Sequence, residues 1–135
     1  MTAFEFPIRV YWEDTDAGGI VFYANYLKFF ERARTEWLRS LGVHQRVLRE
    51  QTGGMFVVAD ASLRYLRPAR LDDELVITAG LQQGGRAGLL IAQQAWLHGP
   101  ERSLLCEGQV RVGWVDVAVM KPARIPAAIL EKLHP

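Results

Sequence analysis

The chain has little cysteine, little net charge and no long apolar run. Of its 135 residues only Cys106 is a cysteine, so no disulfide can form within the chain, and one free thiol fits a reducing compartment. The 16 basic and 15 acidic side chains give a net charge of +1, which removes the electrostatic basis for binding nucleic acid through a broad basic surface. Neither a basic and apolar leader nor an apolar run of membrane-spanning length is found. We therefore expect one compact domain over residues 1–135, located in the cytoplasm and without membrane insertion.

Several common catalytic signatures are also missing. The sequence contains no G-x-S-x-G elbow, no phosphate-binding loop and no dinucleotide-binding glycine motif. Its one cysteine and its three histidines, His44, His98 and His134, are scattered without the spacing of a zinc site. We therefore expect neither a metal ion nor a cofactor.

The most informative segment lies between residues 11 and 36. Alternating side chains over Phe6–Glu13 predict a strand that delivers Asp14 and Asp16 to its end, and Gly18 and Gly19 then allow a sharp turn. From Asn25 to Leu41 the apolar residues recur with a helical period. A helix therefore begins a few residues beyond a pair of carboxylates.

Two interpretations of this arrangement stay open on spacing alone. The free N–H groups at a helix N-terminus, with the positive end of the helix dipole, can stabilise negative charge that develops on a carbonyl oxygen. A carboxylate beside them can attack that carbonyl or activate water. An Asp-x-Asp-x-Gly-Gly run is also common in a plain turn with Asx-type hydrogen bonds, and spacing alone favours this second interpretation.

A family resemblance favours the catalytic interpretation. Residues 14–26, DTDAGGIVFYANY, followed by Phe30-Glu31-x-Ala33-Arg34, resemble the signature of the hotdog-fold acyl-CoA thioesterases. Within them the chain resembles the 4-hydroxybenzoyl-CoA thioesterase family, and most closely the bacterial enzymes associated with the Tol-Pal envelope system. The resemblance implies hydrolysis of acyl-CoA to a carboxylic acid and coenzyme A. It also implies homodimers with a continuous sheet and two sites at the subunit interface, which pair into homotetramers.

The remaining sequence fits an α+β fold of this kind. The central helix is predicted to end at Gly42, a typical helix-capping glycine, and a connection with a short helical piece follows. Hairpin-forming strands then follow, and Pro126 precedes a short final helix. The order βαββββ predicts an antiparallel sheet of about five strands wrapped around one long helix. The predicted later strands are 55–66, 74–81, 89–97 and 104–119, with Cys106, Val110, Val112 and Trp114 of the last strand on one face.

The resemblance assigns roles to individual residues. Asp16 matches the family's catalytic carboxylate, which attacks the thioester or positions water for the attack. Tyr23 matches the residue whose backbone N–H polarises the thioester carbonyl, although many Tol-Pal-associated relatives carry a histidine there. Asn25 either caps the helix or orients the catalytic loop. Asp14 is expected to orient the loop. Glu31 either forms an i,i+3 ion pair with Arg34 or is an alternative general base.

Binding of the substrate is less well defined by the sequence. We expect phosphate contacts from basic residues at strand ends and turns, namely Arg64, Arg67, Arg70, Arg86, Lys121 and Arg124. Ser62 and Tyr65 are candidates for the lining of the acyl pocket. Two alternative functions remain at this point: hydrolysis of acyl-carrier-protein thioesters, with that protein as partner, and a non-catalytic role in acyl-CoA binding or envelope-associated interaction.

Overall fold

The structure is a computed structural model that describes residues 3–134. One antiparallel sheet curls around a central helix, as the α+β prediction required. Two short 3-10 helices, at Trp12–Asp14 and Tyr23–Asn25, flank the loop that precedes the central helix. The elements are β1 Phe4–Arg9, α1 Tyr26–Ser40, α2 Gln45–Thr52, β2 Gly54–Tyr65, β3 Glu74–Gly84, β4 Gly88–Leu97, β5 Ser103–Asp116, β6 Lys121–Pro122 and α3 Ala127–Leu133.

The strand order places β1 and β2 at opposite ends of the sheet. The order is β1-β3-β4-β5-β2, every pairing is antiparallel, and β6 adds a two-residue pairing to the end of β5. β2 is a twelve-residue strand that pairs only with β5, so one of its long sides has no neighbour within residues 3–134. A register shift between Val58 and Asp60 interrupts the pairing midway along β2.

Helix α1 forms because its apolar residues share one stripe. The buried side chains of Tyr26, Phe29, Phe30, Ala33, Trp37 and Leu38 face the concave side of the sheet. They meet inward residues of the strands, including Leu75, Ile77, Ile91 and Val110. The helix ends where Gly42 takes a left-handed conformation with φ of 83°. The start of α1 is therefore fixed against the sheet.

The structure corrects several predicted boundaries. The first strand ends at Arg9 rather than Glu13, because the chain turns into the 3-10 helix at Trp12–Asp14. The last long strand ends at Asp116 rather than Val119, because the Asp116 carboxylate accepts the Ala118 N–H at 2.9 Å and Met120 takes a positive φ of 53°. The four residues of β5 that were predicted to share one face are all buried: Cys106, Val110, Val112 and Trp114. No helix within residues 3–134 is long and apolar enough to cross a bilayer.

Candidate active site

Asp16 lies at the tip of a tight turn between β1 and α1. The turn is closed by hydrogen bonds from the Asp16 N–H to the Ile20 carbonyl at 2.9 Å and from the Gly19 N–H to the Asp16 carbonyl at 3.1 Å. Gly19 has a φ of 78°, a conformation that favours glycine. One carboxylate oxygen of Asp16 accepts the Gly18 N–H at 2.8 Å, and the side chain is exposed. The carboxylate is therefore held in place and still accessible.

Asp14, two residues earlier, is buried and fully engaged. Only 3% of its surface is exposed. Its two carboxylate oxygens accept the Asn25 side-chain amide at 2.9 Å and the Tyr11 N–H at 2.8 Å, and its carbonyl accepts the Phe22 N–H at 2.9 Å. Asp14 thus joins both ends of the loop that carries Asp16, as its predicted orienting role requires.

Asn25 does not cap the helix with its side chain. Its backbone is already helical, with φ of −69°, and its amide donates to Asp14 instead of to the first turn of α1. The capping interpretation is therefore excluded for this conformation. The Asn25–Asp14 hydrogen bond instead links the helix start to the loop.

Tyr23 begins the 3-10 helix that continues into α1. The Asn25 N–H donates to the Phe22 carbonyl at 2.8 Å, which is the first hydrogen bond of the helical segment. Among the residues 3–134, no acceptor outside the helix binds the N–H of Tyr23, and the first N–H groups of a helix have no partner within it. This N–H can therefore donate to an external acceptor.

The connection between β2 and β3 supports the outer side of this loop. The hydroxyl of Tyr65 donates to the Tyr23 carbonyl at 2.9 Å. The Val21 N–H donates to the Ala69 carbonyl at 2.9 Å, and the Leu71 N–H donates to the Gly19 carbonyl at 3.1 Å. The loop is therefore fixed to a second, sequence-distant segment as well as to Asp14.

A cavity of about 270 Å³ opens between the loop and that connection. Arg67 is its one charged lining residue, so the walls are mainly aromatic and aliphatic. The lining residues are Ile20, Val21, Tyr23, Tyr26, Tyr65, Leu66, Arg67 and Pro68. Of the binding residues expected from sequence, Tyr65 and Arg67 thus lie beside Tyr23.

Ser62, Arg64 and Arg86 lie elsewhere in this chain. Ser62 and Arg64 point to the convex face of the sheet, where they line a shallow depression of about 530 Å³ with polar strand residues. Arg64 lies 3.8 Å from Glu107 in an exposed ion pair. Arg86 lies in the exposed turn between β3 and β4, and its carbonyl accepts the Ile125 N–H at 2.8 Å. Within one chain these three residues are not brought together with Tyr23.

The predicted ion pair between Glu31 and Arg34 is wrong, since no such pair forms within 4.0 Å in the part of the chain that the structure describes. Arg34 instead donates to the Gln93 side-chain oxygen at 3.0 Å. The Gln93 amide nitrogen donates to the Phe30 and Thr78 carbonyls at 3.0 and 3.2 Å. Burial lowers the pKa of Arg34, and the nearby Glu31 opposes that shift. Gln93 was not predicted, although a polar residue at an inward position of β4 is a visible signal.

No cluster of histidine, cysteine, aspartate and glutamate able to hold a metal ion occurs among the described residues. At the loop itself the structure places a carboxylate, on Asp16, and the backbone N–H of Tyr23 near the N-terminus of α1.

Comparison with known proteins identifies the family and the fold of the chain. The profile of the thioesterase-like superfamily matches residues 10–133. The chain is 40% identical over 131 residues to the acyl-CoA thioesterase YbgC of Haemophilus influenzae, covering 97% of this chain and 94% of that protein. It is 34% identical, with a TM-score of 0.83, to the crystal structure of a probable thioesterase from Bartonella henselae, covering 93% of this chain and all of that one.

A more distant structure supports the fold alone. It is an Asp-to-Asn mutant of 4-hydroxybenzoyl-CoA thioesterase in complex with 4-hydroxybenzoyl-CoA, which matches with a TM-score of 0.88 at 18% identity, over 96% of each chain. The hotdog fold expected from the motif is thereby confirmed. The matched profile and the similarity to YbgC together show that the chain belongs to the thioesterase-like superfamily of thioester hydrolases.

Proposed function

We propose that this chain hydrolyses acyl-CoA thioesters at the loop that carries Asp16 and Tyr23. The observation that supports this most directly is the contrast between the two aspartates. Asp14 is buried and has its hydrogen bonds satisfied, whereas Asp16 is exposed, held at one oxygen and located in the turn that leads into Tyr23. A held but accessible carboxylate, in the turn that leads to an open helix N-terminus, provides both groups that thioester hydrolysis requires.

The reaction follows from these two groups. The thioester carbonyl oxygen accepts the N–H of Tyr23, and the dipole of α1 stabilises the negative charge that develops on this oxygen. Asp16 then either removes a proton from water as water attacks the carbonyl carbon, or attacks the carbon itself to form an anhydride that water cleaves. In both routes the carbon–sulfur bond breaks, the sulfur leaves with a proton, and a carboxylic acid and coenzyme A result.

Substrate contacts form part of the proposal. Arg67 is the charged residue on the cavity beside Tyr23 and is the best placed arginine for a polar contact with the substrate. Position 23 is tyrosine, and no histidine occurs between residues 1 and 43, so the loop works without a histidine from its own segment. A cytoplasmic location is also proposed, supported by the one free and buried cysteine.

Thiol release from a panel of thioesters tests the activity. We expect turnover of at least one of acetyl-, butanoyl-, palmitoyl-, benzoyl- and 4-hydroxybenzoyl-CoA, unchanged by excess chelator because no metal takes part. Cys106 is fully buried, and burial raises the pKa of its thiol to about 12, so we expect no reaction of this thiol with the detection reagent in the folded protein. If a folded oligomer hydrolysed no member of the panel, this result would contradict acyl-CoA hydrolysis. Reversible loss of turnover on chelation would contradict the carboxylate mechanism.

We also propose that two chains pair through the edges of β2, and that such dimers pair into tetramers. The unpaired long side of β2 is a row of backbone donors and acceptors that a second copy can satisfy. Val58, in the middle of this strand, is 54% exposed in the single chain. Pairing of this edge would make one continuous sheet and would cover that side chain.

Sedimentation equilibrium tests this pairing. We expect the wild type to sediment as a dimer or tetramer at micromolar concentration, and Val58→Asp to shift it toward monomer because it places a charge in the interface. Val119→Asp is the matched control, since Val119 is equally exposed at 59% but lies in the turn after β5. A monomeric wild type, or equal effects of the two substitutions, would contradict pairing through β2.

A further inference from the structure

Tyr65 makes the one side-chain hydrogen bond found within residues 3–134 to the backbone of Tyr23. It is the last residue of β2, and its hydroxyl donates to the Tyr23 carbonyl at 2.9 Å, although the two residues are 42 positions apart in the sequence. The ring of Tyr65 also meets the rings of Tyr23 and Tyr26 edge-on, with centroids 6.3 and 5.7 Å apart. The contact therefore combines a directed hydrogen bond with aromatic packing.

The base of Tyr65 is itself firmly held. The two residues that follow it, Leu66 and Arg67, both donate their N–H groups to the Leu105 carbonyl, at 2.8 and 3.1 Å. Tyr65 also pairs with the buried Cys106 at the end of the β2–β5 ladder. Because the strand end is fixed, the hydroxyl of Tyr65 is presented from the sheet and not from a free loop.

The proton that this bond needs is retained at neutral pH. Partial burial, followed by smaller contributions from Cys106 and Tyr23, raises the pKa of the Tyr65 phenol above its ordinary value of 10.0. The hydroxyl is thus protonated and donates to the carbonyl throughout the neutral range.

We infer that Tyr65 is a positioning residue, which sets the direction of the Tyr23 N–H on which the proposed function rests. Each of the two peptide groups that meet at Tyr23 has a carbonyl that accepts a hydrogen bond. Asn25 N–H holds the Phe22 carbonyl on one side, and Tyr65 holds the Tyr23 carbonyl on the other. With both peptide planes fixed, the backbone of Tyr23 cannot rotate, and its N–H keeps one direction.

Removal of the Tyr65 hydroxyl should therefore weaken stabilisation of the transition state more than it weakens binding of the substrate. The N–H of Tyr23 meets a carbonyl that is only polarised in the substrate but carries negative charge in the transition state. In Tyr65→Phe the ring stays and the bond to the Tyr23 carbonyl is lost. We expect kcat to fall by about three- to tenfold, the rate equivalent of one neutral hydrogen bond, with KM unchanged.

A vibrational measurement separates positioning from general weakening of the fold. The substrate is butanoyl-CoA or benzoyl-CoA, whichever the wild type hydrolyses faster, labelled with carbon-13 at the thioester carbonyl. It is bound to the Asp16→Asn variant, which hydrolyses it too slowly to consume it during the measurement. We expect the carbonyl stretching band to shift to lower frequency on binding, and to shift less in Asp16→Asn combined with Tyr65→Phe. Tyr11→Phe is the matched control, since it removes an exposed hydroxyl and keeps the backbone N–H that Tyr11 donates to Asp14.

The outcomes distinguish this inference from the proposed function. No band shift in Asp16→Asn would overturn the role of the Tyr23 N–H itself. An equal shift with and without Tyr65→Phe, an unchanged kcat, or a rise in KM alone would overturn the role of Tyr65 while leaving the proposed function intact. An equal loss of kcat in Tyr11→Phe would also overturn it. If Tyr65→Phe folds poorly, the position of the carbonyl band in its folded, ligand-bound fraction still shows whether Tyr65 positions the Tyr23 N–H.

Discussion

Asp16→Asn is expected to lower kcat by about 100-fold to 10,000-fold, the usual contribution of a positioned general base. The change removes the negative charge and the basicity of the side chain but keeps its shape. The remaining oxygen of asparagine can still accept the Gly18 N–H, the one hydrogen bond that the Asp16 side chain makes in this structure. Because the side chain is exposed, the free energy of unfolding should change by less than about 0.5 kcal/mol. Thiol release and urea unfolding on the same preparation measure both quantities.

A second exposed aspartate provides the control for this measurement. Asp72 lies in the connection between β2 and β3 with a positive φ of 71°, which asparagine tolerates as well as aspartate does. Asp72→Asn removes the same charge from the surface and should leave kcat unchanged. Retention of more than a tenth of wild-type kcat by folded Asp16→Asn would contradict its role as base or nucleophile.

Local pattern was sufficient to predict the central helix, whereas the catalytic roles in the motif before it were assigned from a family resemblance and stay predictions. The stripe from Tyr26 to Leu38 has a period that only a helix satisfies, so α1 was placed to within one residue at each end. The ends of β1 and β5 were not predictable in the same way. They depend on side-chain hydrogen bonds of Asp14 and Asp116 to nearby N–H groups, which an alternating pattern does not reveal.

Contacts between distant segments account for what the sequence missed at the site. Tyr65 was expected to line the acyl pocket and does border the cavity beside Tyr23, but its hydrogen bond to the Tyr23 carbonyl, 42 positions away, was not predicted. Arg34 was expected to pair with Glu31 on the helix surface, yet its guanidinium reaches Gln93, 59 positions away on β4. In both cases the curl of the sheet around α1 determines the partner, and spacing along the helix does not.

Asp14→Ala is expected to lower both the free energy of unfolding and kcat, whereas Asp16→Asn lowers kcat alone. It leaves the Tyr11 N–H and the buried Asn25 amide without the carboxylate that accepts from both. Loss of hydrogen bonds to a charged, buried group should lower the free energy of unfolding by about 3 kcal/mol. The loop that carries Asp16 is then released from the start of α1, so kcat should also fall. Urea unfolding followed by tryptophan fluorescence measures the stability change.

An exchange of the Asp14 and Asn25 side chains tests whether the loss of stability arises from the hydrogen bond between them. Asn25→Asp alone would place a second carboxylate against Asp14, where the present amide and carboxylate atoms lie 2.9 Å apart, and should destabilise the protein. Addition of Asp14→Asn restores one carboxylate and one amide with their roles reversed, and leaves an oxygen to accept the Tyr11 N–H. The double variant should therefore be more stable than Asn25→Asp alone and should recover part of the lost turnover. Additive destabilisation in the double variant would mean that the pair does not act as a unit. The loop would then depend on its backbone hydrogen bonds to the β2–β3 connection for its position.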